Sequence, residues 1–442
     1  MYKKYYFVFV ILTIFLIYPK VVGAANYPAG NWDHIIENKT YNQTLILTGH
    51  SNDNTLIINS KFNSASGPGI RICGVNNVYI LSNEIYNEPN TVGGHGIELG
   101  SSSGCGTENI TIDNNIIHDI RSSGIIPKAS PTNGTFHNNL VIKNNNIYNI
   151  GNNDKDHGIY NIAGDVKILN NVIHGSMGNG ISTRSSGVIS GNIFWDTVKS
   201  CIRYFTDHET GPSKKLLIEN NICYNTPVNP IYAQSDGYPL ISVLYSPDTL
   251  SDSWLADKYE IRFNTLVSTI ANNPGIQIQS SQFNSKDVKV YGNLVINSKN
   301  QSNTIINQYI DYLSRNYVSS SLMGFMVNSV PYNFHLAQTS GAINFASGES
   351  SFPPLDRDGK SRSQNNLDSG AYQFTNSTSI SPYPLPNFNI ADLEPDGDVD
   401  VSDFNILISK FGLTGVAGWI RSDIIKNGIV NIFDFNKFIS NY

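Results

Sequence analysis

The stretch Val166-Lys167-Ile168-Leu169-Asn170-Asn171-Val172-Ile173 decides how this chain folds. Apolar residues at alternate positions lead into an asparagine, and a second short apolar run follows it. Alternation with a period of two marks a β-strand with one buried face, because successive side chains leave opposite sides of the backbone. The phrase returns as Val78-Tyr79-Ile80 before Asn83, Ile110-Thr111-Ile112 before Asn115, and Val141-Ile142 before Asn146. Further copies place Val188-Ile189 before Asn192, Leu217-Ile218 before Asn221, Ile261 before Asn264, and Val288-Lys289-Val290 before Asn293. The marker asparagines lie 21 residues apart at the closest and 43 at the widest. The short interval fits about three strands with their turns. The long one leaves room for a degenerate coil.

A second signal keeps step with the first. Gly69-Ile70, Gly96-Ile97, Gly124-Ile125, Gly158-Ile159, Gly180-Ile181 and Gly275-Ile276 fall between successive asparagines, and Cys201-Ile202 and Pro230-Ile231 take the same slot. Two registers in phase predict a solenoid in which each strand pairs with its counterpart one coil away. Ile70, Ile97, Ile125, Ile159, Ile181 and Ile202 then form an aliphatic stack inside it. Each asparagine bonds the turn backbone and the amide of the next, so a buried polar residue is satisfied by repetition.

Over about residues 45–300 the pattern resembles right-handed parallel β-helix proteins of the pectate-lyase-like fold. The resemblance implies an all-β solenoid over 25–330 and a C-terminal cap over 331–374, which begins near Tyr332-Asn333-Phe334 and ends near Ala371-Tyr372. A cap covers an otherwise open sheet edge. Residues 375–390 are rich in Ser, Thr and Pro and read as a linker.

If the isoleucines point inward, their neighbours point outward. That column reads Arg71, Glu98, Ile126, Tyr160, Ser182, Arg203, Tyr232 and Gln277, with Lys128 and Arg184 two residues further along. Side chains repeating every 4.8 Å or so form a groove matched to an extended polymer. His95 and His157 each precede a repeat glycine, and Asp156-His157-Gly158-Ile159-Tyr160 resembles a run seen in many secreted β-helix proteins. An oriented imidazole beside a phenol supplies proton transfer; the alternative is that both histidines cap turns. Asp156, His157, Tyr160, Lys128, Arg184 and Arg203 are the catalytic candidates, and Arg71, His95, Glu98, Tyr204 and Tyr232 the substrate-binding ones. The insertion Asp207-His208-Glu209 is placed to overhang the groove.

The C-terminus carries one motif twice, starting at Asp392 and at Asp423. Side-chain oxygens at positions 1, 3, 5 and 12 with glycine at 6 are what a twelve-residue calcium loop requires. The first copy offers Asp392, Glu394, Asp396, Asp398, Asp400 and Asp403; the second offers Asp423, Asn427, the carbonyl of Ile429, Asn431 and Asp434, with Ile425 where a ligand is expected. An amphipathic helix follows each loop. The pair, over residues 391–442, resembles a dockerin, a small all-α calcium-binding module that docks on cohesin domains. The resemblance implies cohesin contacts at Val401 and Ser402 and at Ile432 and Phe433. Because these pairs differ, two equivalent docking orientations are not expected.

Lys3 and Lys4, an apolar run from Phe7 to Tyr18 and the small residues before Ala24 form a secretory signal peptide over 1–24. That run is too short to span a bilayer, and no later segment is long and apolar enough to do so. Net charge is −6 and only 14% of residues are charged, so no basic stripe invites a nucleic acid. In a secreted chain four cysteines bear on disulfides. Cys73 and Cys105 share a phase, which predicts a disulfide between adjacent coils; Cys201 and Cys223 do not and read as buried thiols.

These readings predict a secreted, monomeric β-helix that binds and degrades an extracellular polysaccharide and is tethered to a cohesin scaffold. Elimination from a uronate needs a base at C5 and cations, or a groove calcium, on the carboxylate. Hydrolysis needs two facing carboxylates, and Glu98 and Asp156 are the only groove-phase acids. A lyase is therefore expected before a hydrolase. The alternative is a non-catalytic binding or surface-structural module.

Overall fold

The computed structural model describes residues 27–87, 94–100, 105–128, 137–225, 237–268, 273–297, 304–306, 308–321, 334–375, 401–412, 414, 422, 424–425 and 429–440. The signal-peptide and linker readings, and Tyr232, lie outside them. Among the described residues, three parallel sheets of 11, 11 and 10 strands run the length of the solenoid. Sheet A goes from His34–Glu37 to Tyr312–Ser314, sheet B from Thr40–Tyr41 to Tyr317–Ser319, and sheet C from Leu45–Thr48 to Ile305–Ile306. Each strand pairs with the third strand before and after it, so every coil contributes one strand to each sheet.

The predicted stack is the core: Ile70, Ile97, Ile125, Ile159, Ile181 and Ile202 follow one another in sheet C and are at most 1% exposed. The glycine before each of these isoleucines from Ile70 to Ile181 has a steric reason. A Cβ on Gly96, Gly124 or Gly158 would lie 2.5–2.6 Å from the carbonyl oxygen of the next coil. Only hydrogen fits there.

The asparagine ladder also forms. The side-chain oxygen of Asn115 accepts from the backbone N–H and the Nδ2 of Asn83 at 2.9 and 3.0 Å, and the pattern repeats through Asn171, Asn192, Asn221, Asn264, Asn293 and Asn316. The second Nδ2 hydrogen reaches a carbonyl of the preceding coil, as from Asn171 to Ile142 at 2.9 Å. The rung expected at Asn146 is instead Asn145, whose Oδ1 accepts from Asn115. The residue before each rung turns with positive φ, and in Asn144-Asn145-Asn146 it is Asn144 at 55° that does so. Three asparagines in a row hide that phase.

The interval of 43 residues between Asn221 and Asn264 holds one coil rather than two, since Lys215–Glu219 pairs directly with Lys258–Arg262. Its isoleucine is Ile241, which stacks on Ile202, so the slot read at Pro230-Ile231 belongs to Leu240-Ile241. Cys73 and Cys105 are bonded, with Cα atoms 5.3 Å apart. Cys201 and Cys223 are not thiols but a second disulfide, at 6.1 Å. Cys223 faces the core from sheet B and Cys201 precedes a strand of sheet C, so they join neighbouring coils across a corner without sharing a phase.

Residues 334–375 lie against the flank between sheets A and B. Arg357 Nε donates to Gly191 O, Arg362 Nη2 to Asn220 Oδ1, and Gly370 N to Gly292 O. Phe334, Leu336 and Tyr372 pack with Trp195, Ile222 and Leu294 of sheet B.

Candidate functional site

The outer row of sheet C reads Arg71, Glu98 and Ile126, then Tyr160, Ser182, Arg203, Ser242 and Gln277. Ser242 takes the place expected for Tyr232. Tyr204 does not reach this face. It shares the parity of Ile202, is fully buried, and sets its ring edge-on to Tyr259 at 5.5 Å. Burial pushes its phenol up.

Two clusters stand on the face. In the first, Glu98 is held between Arg71 Nη2 at 3.4 Å and Lys128 Nζ at 3.2 Å. The turns from sheet B into sheet C wall a cleft of about 380 Å³ beside it, lined by Arg71, His95, Glu98, Arg121, Ser122 and Asp156 among others. His95 is pushed down to about 4 by burial and then by Lys128. Asp156 organises the turn before it: Oδ2 accepts from Asn153 Nδ2 at 2.7 Å and from the N–H groups of Asn152 and Asn153, and Oδ1 from Ser122 Oγ. Burial raises its carboxyl. Both groove acids thus line one cleft, but their lone pairs are engaged by protein donors.

His157 lies beneath the face, 5% exposed. Its Nδ1 accepts from the N–H of Asn179 at 3.0 Å. In the neutral ring the proton therefore sits on Nε2, which cannot take another without a change of tautomer. Burial, then Arg184, holds the ring neutral, with its pKa pushed down to about 3. This is the turn-bridging role that competed with the catalytic one.

The second cluster joins Tyr160, Arg184, Arg203, Phe205, Asp207 and Tyr238. Arg184 donates to Ser182 Oγ at 2.7 Å and to Tyr160 Oη at 3.4 Å, and its Nε lies 2.7 Å from Asp207 Oδ1. Its guanidinium also sits 4.3 Å from the centre of the Phe205 ring. Arg203 lies over Phe205 at 4.7 Å and Tyr238 at 5.2 Å, and among the described residues it has no ion pair. Burial lowers its pKa, Tyr238 opposing. Asp207 therefore does reach the face, as the insertion implied. Phe205 was legible as the next outward residue after Arg203. Tyr238, in a long insertion, carried no phase signal.

The C-terminal segment holds two helices, Val401–Ser409 and Ile432–Ile439. Asp434 is fully buried at the start of the second; its Oδ1 accepts from the N–H of Ile425 and its Oδ2 from that of Asn431, while Asn431 Oδ1 caps the helix through the N–H of Phe433. A backbone bridge joins Thr414 to Ile429. Ile432 and Phe433 are exposed. A carboxylate at the head of a helix is where a calcium loop has its last ligand, but both oxygens of Asp434 already accept from backbone N–H groups. Asp392, Glu394, Asp396, Asp398, Asp400, Asp423 and Asn427 lie outside the described residues, as do the side chains of Val401, Ser402 and Asp403. Among those described, no group of three His, Cys, Asp or Glu side chains is placed to hold a metal.

A family model for the right-handed beta helix region matches residues 43–211. No curated protein is significantly similar to the chain. Similar solved structures include a mutant of the periplasmic alginate epimerase AlgG, 12% identical with a TM-score of 0.29, covering 65% of this chain and 50% of that one. Another is the Gp54 tailspike of Acinetobacter baumannii bacteriophage AP22, in complex with capsular saccharide, at 11% and 0.33, covering 64% and 50%. The tailspike gp49 from Pseudomonas phage LKA1 stands at 12% and 0.30, covering 64% and 49%. The chain spans about half the length of these proteins. With three parallel sheets in register and a family model matching its first coils, the chain folds as a right-handed parallel β-helix.

Proposed function

We propose that this is a secreted β-helix protein that binds an acidic extracellular polysaccharide along sheet C and cleaves it by elimination. Arg203 carries the reading. It is a cation with no ion pair among the described residues, framed by Phe205 and Tyr238, one coil from Arg184 and two from Tyr160. A uronate carboxylate supplies the missing charge partner. Arg203 and Arg184 would stabilise the charge that develops on that carboxylate as C5 loses its proton. Tyr160 Oη, once deprotonated, would take the C5 proton; the C4–O bond breaks as the C4–C5 double bond forms, and the phenol then returns that proton to the departing oxygen. His157 supports the turn beneath. The engagement of Glu98 and Asp156 by protein donors disfavours hydrolysis.

The occupied Nδ1 of His157 and the ion pair of Arg184 with Asp207 favour a second reading, binding without turnover. Uronate polymers and neutral glycans, assayed for ultraviolet absorbance of the new double bond and for reducing ends, separate the two. Absorbance that grows with uronate polymers and is lost in Tyr160→Phe supports elimination. Binding without either signal supports the second reading.

Residues 391–442 would attach the protein to a cohesin. Calcium, when bound, neutralises the converging carboxylates of Asp392, Glu394, Asp396 and Asp403; Asp434 would serve the second loop, which lacks a side-chain ligand at Ile425. Replacing Asp392 and Asp403 by alanine should abolish cohesin binding and most calcium-dependent ordering while the β-helix melts unchanged, read by titration calorimetry and circular dichroism. Two sites of equal affinity in the wild-type chain would contradict a weakened second loop. The two disulfides accord with an oxidising, extracellular setting.

A further inference from the structure

A second cleft, of about 400 Å³, opens on the outer face of sheet A, on another side of the solenoid from Arg203. Its floor is built by the register Lys215, Lys258, Asp287 in one row and Glu260, Lys289, Tyr312 in the next. The segment Glu349 to Ser351 forms its wall. Most of these charges are matched. Glu260 takes Lys215 Nζ at 2.7 Å, Arg262 Nη1 at 3.0 Å and the hydroxyl of Tyr291, while Asp287 takes Lys289 at 3.2 Å. Arg262 also donates to Ser351 Oγ at 2.7 Å, which ties wall to floor.

Two groups remain unmatched. Glu349 is only 3% exposed; Tyr312 Oη donates to its Oε2 at 3.0 Å, and among the described residues its Oε1 has no hydrogen-bond partner. Lys258 is exposed and has no ion pair among the described residues. A buried carboxylate oxygen without a donor is costly to keep. A ligand that met both groups would bring a hydroxyl to Glu349 and an anion to Lys258.

We infer that this cleft is a second saccharide site, taking a hydroxyl-bearing uronic acid unit with its carboxylate on Lys258 and a ring hydroxyl on Glu349. The inference rests on the acidic-polysaccharide reading but uses a different face, so a long chain could engage the solenoid at two places and gain by effective concentration. The full-length protein is titrated by calorimetry with short oligogalacturonates and with neutral oligosaccharides of the same length. Two classes of uronate site are expected. In Arg203→Ala one class should remain, and adding Lys258→Ala or Glu349→Gln should weaken it roughly tenfold, the size of one charge-assisted hydrogen bond.

Lys258→Ala alters an exposed side chain, so it tests the site even where Glu349→Gln lowers the melting temperature. Loss of all binding in Arg203→Ala overturns this site and leaves the sheet C reading standing. Binding that ignores Arg203→Ala but falls with Lys258→Ala overturns the sheet C reading and leaves this one. A residual class indifferent to both Lys258→Ala and Glu349→Gln, or one that binds neutral sugars equally, overturns the inference, as does a wild-type protein that binds no uronate.

Discussion

Sheets B and C present the same kind of outer row and use it in opposite ways. On sheet B, Tyr86, His118, Tyr148, His174 and Trp195 stack coil upon coil, with ring centres 4.2–5.3 Å apart. Tyr148, His174 and Trp195 are at most 5% exposed, and Trp195 joins the apolar cluster formed with Phe334, Leu336 and Tyr372. On sheet C the comparable positions hold Arg203, Phe205 and Tyr160, each half-buried. A parallel ladder repeats any outward residue at about 4.8 Å, so it builds a stack equally well for structure or for a ligand. What separates the two uses is whether a second layer of chain lies on top. The two histidines make the same contrast. Burial works to lower His118, but Asp119 at 3.0 Å and Glu84 at 3.3 Å together raise it to about 9, whereas His157 beneath sheet C is held near 3.

The comparison breaks most readily at Trp195. Trp195→Ala should cost about 3–5 kcal/mol, as large buried aromatics do, and should leave uronate binding on sheet C unchanged; urea denaturation beside calorimetry checks both. If binding fell equally, the two faces would be coupled rather than separate. Next in size is the disulfide at the corner between these sheets. Replacing Cys201 and Cys223 together by serine should destabilise by roughly 3 kcal/mol, the loop-closure value for a separation of 22 residues, seen as a lower urea midpoint.

A pH series sharpens the contrast. His118 is raised in the folded state, so its contribution is complete below about pH 6.5 and is lost as pH rises through about 9. His118→Gln should therefore be less stable than wild type near pH 6 and approach it above about pH 9. His157 is depressed, so the folded state is penalised as pH falls from about 6.5 towards 3. His157→Asn should lose less stability on acidification than wild type, with urea midpoints across the series as the measure. The smallest effect on stability belongs to Arg203→Ala. It should remove the sheet C class of uronate binding while the melting temperature stays within error, because no carboxylate is left unpaired. A marked loss of stability there would make Arg203 a packing residue like those of sheet B.

Much of the solenoid was legible because its signals are local and repeated. Alternation placed Ile97 and Ile159 inside and Glu98 and Tyr160 outside before any contact was known, and one phase shared by Cys73 and Cys105 was enough to pair them. The same parity, applied to Tyr204, would have sent it into the core. Where composition blurs the phase, sequence reading slips by one, as at Asn144-Asn145-Asn146. Where an insertion interrupts the repeat, it slips further, as at Pro230-Ile231.

By itself, then, the sequence determined the coil: its three strands, its core isoleucines, its glycines and the asparagine rungs, since each depends on neighbours one period away. Tertiary structure decided which outer row stays open. That choice depends on where residues 334–375 lie, on insertions such as those holding Asp207 and Tyr238, and on the wall that brings Glu349 to Tyr312. Contacts between distant segments leave no periodic trace, because only one side of each contact repeats.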